Sequence, residues 1–240
     1  MRISQGKSGI IWTFLEPFLQ IFIFIYIRIV INEHSGHHIS SYSYSAFMAS
    51  GFIAFNMFRQ ILSKSMGAFT ANKALFSYKQ VKPIDTVIAR VLVEVFLTSC
   101  VICIFIFLGF IFEVDNFIPK NIVMVFIGLV WFVIFSLGVG LLLGIGNFFY
   151  MSIGKFMNVI SFILLIFSAV FFSLSSLHPT IREILLYSPL VHFMEMIHGF
   201  YLYGLDDRYV DYIYMLYWTI IPYIIGFWLY IRLEKRIISQ

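Results

Sequence analysis

The sequence predicts an all-α membrane protein. It has six transmembrane helices, an N-terminal interfacial helix and a re-entrant helical pair before the last span. Three observations predict this class. Of 240 residues, 61% are hydrophobic and only 12% are charged, where a soluble domain carries about 25% charged residues. The apolar residues form continuous runs of bilayer-spanning length, about 20 residues, and the mean hydropathy is +0.93. Lys and Arg segregate to one set of flanks, the pattern that sets orientation in a membrane. A water-soluble fold of this size cannot hide 29 Phe and 14 Tyr beneath so little polar surface. A soluble enzyme, a disordered chain and a nucleic-acid-binding module are thereby excluded.

Residues 1–12, MRISQGKSGIIW, are short and amphipathic and suit a helix lying on the interface. No cleavable signal peptide is expected there. Spans are expected at 14–31, 45–63, 86–112, 121–148, 156–176 and 212–231. Helices are preferred to strands because a lipid-facing backbone must satisfy its hydrogen bonds within its own segment. Pro17, Pro83 and Pro119 stand at or just before the start of a run, where a missing N–H costs nothing. Pro222 falls inside the sixth run and predicts a kink. Residues 177–205 are apolar but broken by Pro179 and Pro189, with Ser188-Pro189 reading as N-cap and first helical residue. Each half is too short to cross, so a pair of short helices dipping into the outer leaflet is expected, at a pore mouth. The chain is one domain, 1–240, with a cytoplasmic loop at 64–85.

Orientation follows from charge. Twelve of the sixteen basic residues, from Arg2 and Lys7 through Arg59, Lys64, Lys73, Lys79, Lys82, Arg90 and Lys155 to Arg232, Lys235 and Arg236, share one side. Lys120, Arg182 and Arg208 lie opposite, with Arg28 near the end of span one. Glu33, Glu113, Asp115, Glu183, Glu195, Asp206, Asp207 and Asp211 fall on that opposite side too. Both termini and the 64–85 loop are therefore expected in the cytoplasm. The net charge of +4 records topology and calls for no nucleic acid.

Candidate chemistry is sparse. Gly6-Lys7-Ser8 resembles the tail of a phosphate loop but lacks the upstream Gly and the preceding strand. Gly140 and Gly144 form a GxxxG pair suited to close helix packing. Cys100 and Cys103 lie inside a span as small apolar groups. His34, His37 and His38 sit in a loop whose Ser35-Gly36 disfavours a shared helical face. His192, Glu195 and His198 recur at helical spacing, as ligands, a proton site or polar walls of a wet vestibule. Glu16, Arg28 and Glu94 are charges within or at the edge of spans, which usually face a bundle interior or a water path. Phe14, Phe18, Phe22 and Tyr26 make one aromatic stripe, read either as packing surface or as a platform for sugar rings. No catalytic centre and no metal site are expected.

Residues 71–94, ANKALFSYKQVKPIDTVIARVLVE, closely resemble the loop and third-span start of the capsular polysaccharide export permeases, the KpsM-like branch of the ABC-2 type transporters. GKSGIIWTFLEP resembles that family's interface helix running into span one, although such relatives carry further residues upstream. LLYSPLVHFMEMIHGFYL resembles the segment before its last span. The outer loop 32–44 is this chain's own.

The resemblance implies a multi-pass permease of the bacterial inner membrane, present as two copies and working with a separate cytoplasmic ATPase that binds ATP and Mg. It also implies periplasmic and outer-membrane export components, a lipid-linked polysaccharide substrate and surrounding membrane lipid. This chain itself would hold no cofactor. The implied coupling interface is Lys7, Asn72, Lys73, Leu75, Phe76, Tyr78, Lys79, Lys82, Pro83 and Asp85, with 72–83 as a short helix exposing a Leu-Phe-x-Tyr cluster. Read from the residues themselves, the expected substrate path comprises Phe14, Phe18, Phe22, Tyr26, His192 and Glu195. Rival readings are an O-antigen or teichoic-acid permease of the same class, an ion-coupled secondary transporter, and a membrane-embedded glycosyl or acyl transferase.

Overall fold

The computed structural model describes residue 19 and residues 44–78, 80–111 and 118–239. The expected interfacial helix 1–12, span one and the loop 32–43 lie outside the described residues. Among the described residues every regular element is helical: α1 (Tyr44–Met66), α2 (Ala68–Ala71), a 3₁₀ helix (Lys73–Ser77), α3 (Pro83–Ile111), α4 (Ile122–Phe149), α5 (Ser152–Phe167), a 3₁₀ turn (Leu174–Ser176), α6 (Pro179–Leu185), α7 (Pro189–Tyr201) and α8 (Tyr212–Ser239). Among the described residues three helices are long and apolar enough to cross a membrane: Pro83–Ile111, Ile122–Phe149 and Tyr212–Ile238. At 1.5 Å per residue each is about 40 Å long, more than the ~30 Å hydrocarbon core.

Helix α1 is the centre of the bundle. It has 23 residues, and Phe47, Met48, Ile61 and Leu62 are fully covered by neighbours. It packs most extensively on α4. There Phe58 stacks on Phe132 and Phe135 at ring separations of 5.5 and 5.9 Å. Phe193 of α7 completes the cluster, 5.0 Å from Phe132 and 4.9 Å from Phe135. The GxxxG pair does what its spacing predicts. A methyl group at Gly140 would stand 2.8 Å from Ser65 Oγ, and one at Gly144 2.8 Å from the Ser65 carbonyl oxygen. Gly138 serves another purpose: the Tyr223 ring occupies the space a side chain would need, 2.7 Å from such a methyl.

The expected fifth span, 156–176, needs correction. Helix α5 stops at Phe167 after 16 residues, about 24 Å. Serines explain the break, because their hydroxyls compete for backbone groups. Ser168 Oγ donates to Leu165 O at 3.0 Å, Ser176 Oγ to Ser173 O at 2.7 Å, and Ser173 Oγ accepts from the Ser175 amide at 3.3 Å. Ala169 adopts φ 61° between them. This irregular stretch is covered by protein, with Ala169, Val170 and Leu174 fully buried.

The two prolines of 177–205 act as expected, each occupying the first turn of a short helix. Pro119 lies outside its helix. Asn121 is the N-cap instead, accepting the Met124 amide at 3.2 Å. Helix α8 runs through Pro222 and on to Ser239, beyond the expected end at 231. Two cross-helix bonds flank the proline: Trp131 Nε1 to Thr219 Oγ1 at 3.0 Å and Tyr223 OH to Ile134 O at 2.8 Å.

Candidate functional site

The hairpin between α1 and α3 is tightly bonded within itself. Asn72 Nδ2 donates to Ala68 O at 2.8 Å and closes α2. Ser77 Oγ donates to Ala74 O at 2.8 Å, and the Tyr78 amide to Leu75 O at 3.1 Å. Pro83 opens α3, and Asp85 Oδ2 accepts the Lys82 amide at 2.9 Å. That carboxylate satisfies a free N–H and lies at the positive end of the helix dipole.

The short helix expected within 72–83 is a 3₁₀ helix, Lys73–Ser77, and the expected exposed cluster is corrected at Phe76. Phe76 turns inward and is 6% exposed, while Leu75 is 44% and Tyr78 65% exposed. Three residues per turn sets Leu75 and Tyr78 on the outer side and Phe76 on the inner one. Phe76 enters a core with Phe69 of α2, Val87 of α3, Ile145 and Phe148 of α4, and Tyr230 and Ile237 of α8. It is thus a joint between the hairpin and the ends of three long helices. Lys73 stays with it, its ammonium 5.2 Å from the Phe148 ring centre. Lys82 and Asp85 are exposed. Lys7 and Lys79 lie outside the described residues.

At the other end of the bundle, His192, Glu195 and His198 are buried, and each meets a different neighbour. His192 Nε2 lies 2.9 Å from Leu186 O, and its Nδ1 accepts the Asp211 amide at 3.1 Å. The amide can only donate, so Nδ1 is bare and Nε2 carries the proton. The ring therefore ties α7 to the α6–α7 turn and to the start of α8. The Leu174 amide acts on the Glu195 carboxyl, while Oε2 has no hydrogen-bond partner. His198 stacks on Phe47 at 4.0 Å. Neither ring nitrogen makes a well-formed hydrogen bond among the described residues, and only the Phe47 backbone acts on the ring to favour its charged form. Gly51 makes room for it, since a methyl there would stand 2.7 Å from His198 Nε2.

Helix α7 has 13 residues and does not span. Burial pushes the Glu195 carboxyl up to about 7 and the His198 imidazole down to about 3, so each favours its uncharged form. The aromatic stripe Phe14, Phe18, Phe22 and Tyr26 lies outside the described residues. On α3, Glu94 is buried, and Arg90 Nη1 reaches Lys64 O at 3.4 Å. Among the described residues no three His, Cys, Asp or Glu side chains converge as a metal site would need.

Sequence reasoning missed the Phe76 joint and the bonds beside Pro222. The signal for the joint was the 3₁₀ phase of KALFS, which places a single aromatic inward. For the Pro222 bonds, Thr219 and Tyr223 next to the proline were the available hint.

Long apolar helices around a buried polar break, with a short bonded hairpin at one end, define a multi-pass membrane component. Comparison with known proteins gives the family. Residues 1–202 match the model of the ABC-2 type transporter family. The chain belongs to the ABC-2 type transporters. It is 29% identical to the polysialic acid transport protein KpsM of Escherichia coli, over all of this chain and 91% of that protein. It is 25% identical to the capsule polysaccharide export inner-membrane protein CtrC of Neisseria meningitidis serogroup A, over all of this chain and 89% of the relative. It is 27% identical to the capsule polysaccharide export inner-membrane protein BexB of Haemophilus influenzae, over 83% of this chain and 74% of that one.

Proposed function

We propose that this chain is the inner-membrane permease subunit of an ATP-driven exporter of lipid-linked capsular polysaccharide. The ATPase is a separate cytoplasmic subunit that binds ATP and Mg. The family match supports the transporter class. The polysaccharide transport and export roles that the names of KpsM, CtrC and BexB carry support capsular polysaccharide as cargo. In this reading the whole chain is one domain of six spans, with 14–31 and 45–63 among them and the fifth made of α5 with the buried irregular stretch that follows it. Residues 1–12 lie on the cytoplasmic interface, and both termini are cytoplasmic. Two copies enclose a path, and the polymer passes onward to periplasmic and outer-membrane components.

The observation that carries the coupling reading is the Phe76 joint. Leu75 and Tyr78 stand exposed on a short helix whose opposite face is fixed to three spans. A partner gripping that outer side holds a handle bonded to the transmembrane rods. Lys73, Lys79 and Lys82 form its basic rim, Asn72, Pro83 and Asp85 set its shape, and Lys7 adds the neighbouring interface helix. An apolar anchor inside a polar rim is the usual anatomy of a protein contact. His192 and Glu195 belong to the far end of the path as groups that position the re-entrant pair. Phe14, Phe18, Phe22 and Tyr26 would offer sugar rings an aromatic wall.

The test is Leu75→Asp with Tyr78→Asp, measured by co-purification of the ATPase and by surface capsule. Insertion and thermal stability should stay near wild type, because both residues are exposed, while ATPase pairing and capsule are lost. Normal pairing and normal capsule would refute the coupling reading.

A further inference from the structure

The chain entering α8 forms one wall of a cleft of about 570 Å³, lined by Leu186, Arg208, Tyr209, Asp211, Tyr212 and Ile213. Its walls are held in place. Arg182 Nη1 donates to Tyr209 OH at 2.8 Å, and its guanidinium lies 4.5 Å from the centre of that ring. Tyr212 OH is bonded to Asp207 Oδ2. Asp211 Oδ1 accepts the Tyr214 amide at 2.9 Å and caps α8. Arg208 differs from these neighbours: it is exposed and makes no hydrogen bond or ion pair among the described residues. The cleft therefore offers one uncommitted cation beside one carboxylate, between two fixed aromatic rings.

Below the cleft α8 presents Ile213, Leu216, Tyr217, Ile220 and Ile224, each more than 40% exposed. This apolar flank begins where the polar pair ends. An occupant that uses both parts is polar at one end and hydrocarbon at the other. A sugar would use the rings but leave the flank bare. A simple anionic lipid would answer Arg208 but oppose Asp211. We propose that this cleft binds a zwitterionic phospholipid of the phosphatidylethanolamine class, its phosphodiester on Arg208, its ammonium on Asp211 and its acyl chains along α8. Phosphate favours a guanidinium that can give it paired N–H bonds, and a primary ammonium gives Asp211 a charged donor. The site rests on α8 entering the membrane near Tyr212 and is independent of the cargo.

The experiment measures lipid retained by the full purified chain, by native mass spectrometry, from an equimolar mixture of phosphatidylethanolamine and phosphatidylglycerol. Wild type should retain phosphatidylethanolamine in preference. Arg208→Gln should lose about tenfold of that retention, the scale of one charged hydrogen-bonded contact. Arg208→Lys should keep most of it, which separates charge from misfolding. Asp211→Asn can still cap α8, and it should erase the preference between the two lipids. Equal retention by wild type and Arg208→Gln, or an unchanged preference in Asp211→Asn, would overturn the proposal. So would displacement of the lipid by short acidic oligosaccharides, which would make the cleft a saccharide site.

Discussion

Truncating Phe76 to alanine should separate the hairpin from the bundle. The ring is 94% covered, being 6% exposed, and its neighbours come from α2, α3, α4 and α8. Its loss opens a gap in the core that these four elements share. A buried Phe→Ala change costs about 3–5 kcal/mol, part transfer energy and part cavity. The lower end is expected, since the hairpin is short and can settle into the space. For a chain of this size each kcal/mol is worth roughly 2–4 °C, so the unfolding temperature in detergent should fall by about 6–12 °C. Tyr78→Ala is the control. That ring is 65% exposed, and an exposed truncation stays within about 0.5 kcal/mol. Fluorescence-detected size exclusion after graded heating reads both variants from small cultures. Phe76→Leu should recover most of the loss. An unfolding temperature for Phe76→Ala within 2 °C of wild type, roughly the shift of a single kcal/mol, would refute the joint and the mechanical role built on it.

Gly144→Ala places a methyl 2.8 Å from a backbone oxygen. Overpacking of about 1–3 kcal/mol should outweigh the helix-propensity gain of about 1. Gly146→Ala meets only the flexible tip of Ile153 at 3.0 Å, so thermal melts should rank it clearly above Gly144→Ala. His192→Phe removes a donor to Leu186 O and an acceptor for the Asp211 amide. It should cost about 1–3 kcal/mol and raise hydrogen exchange at the α8 N-terminus, readable by mass spectrometry. Glu195, raised from 4.5 to about 7, contributes stability that is present below pH 4.5 and lost as pH climbs through 7. His198, lowered from 6.5 to about 3, contributes stability present above pH 6.5 and lost as pH falls toward 3. Melting temperature against pH should therefore drop on both sides, with Glu195→Gln flattening the alkaline limb and His198→Phe the acid one.

The features legible in the sequence were those imposed by the solvent. Hydrocarbon demands long uninterrupted helices, so the runs at 86–112 and 121–148 translate almost residue for residue into α3 and α4. Proline cannot donate, so Pro83, Pro179 and Pro189 mark helix starts. Gly140 and Gly144 announce a close helix contact because only a missing side chain permits one. The features that were not legible depend on which face meets which neighbour. The stretch 156–176 is apolar enough to span, and its break comes from hydroxyl groups bonding locally, which hydropathy does not weigh. The run His192, Glu195 and His198 has helical spacing, but spacing alone does not distinguish a wet wall from a buried hub. Phe76 sits among lysines in a polar loop, so charge pattern places it outside, whereas the 3₁₀ phase places it inside.

Helix α8 makes the two ends of the bundle mechanically continuous. Its C-terminal part meets the hairpin through Tyr230 and Ile237 at the Phe76 joint. Its N-terminus is held by His192, through the Asp211 amide, to the short helix α7. Its 28 residues run about 42 Å, and about 29–39 Å of that length separates these contacts. A proline at the middle of such a rod is a weak point, because the amide that would close one turn is missing. The two bonds, Trp131 Nε1 to Thr219 Oγ1 and Tyr223 OH to Ile134 O, fall on either side of that point and tie α8 to α4. Removing both, with Trp131→Phe and Tyr223→Phe, deletes two hydrogen bonds at a cost of about 1–3 kcal/mol in all, and the phenyl at 131 also gives up part of the indole's packing on Phe193 and Tyr212. If α8 carries motion from hairpin to re-entrant pair, this double variant should still pair with its ATPase yet export poorly. Full export at normal protein levels would show that the two ends communicate by another route.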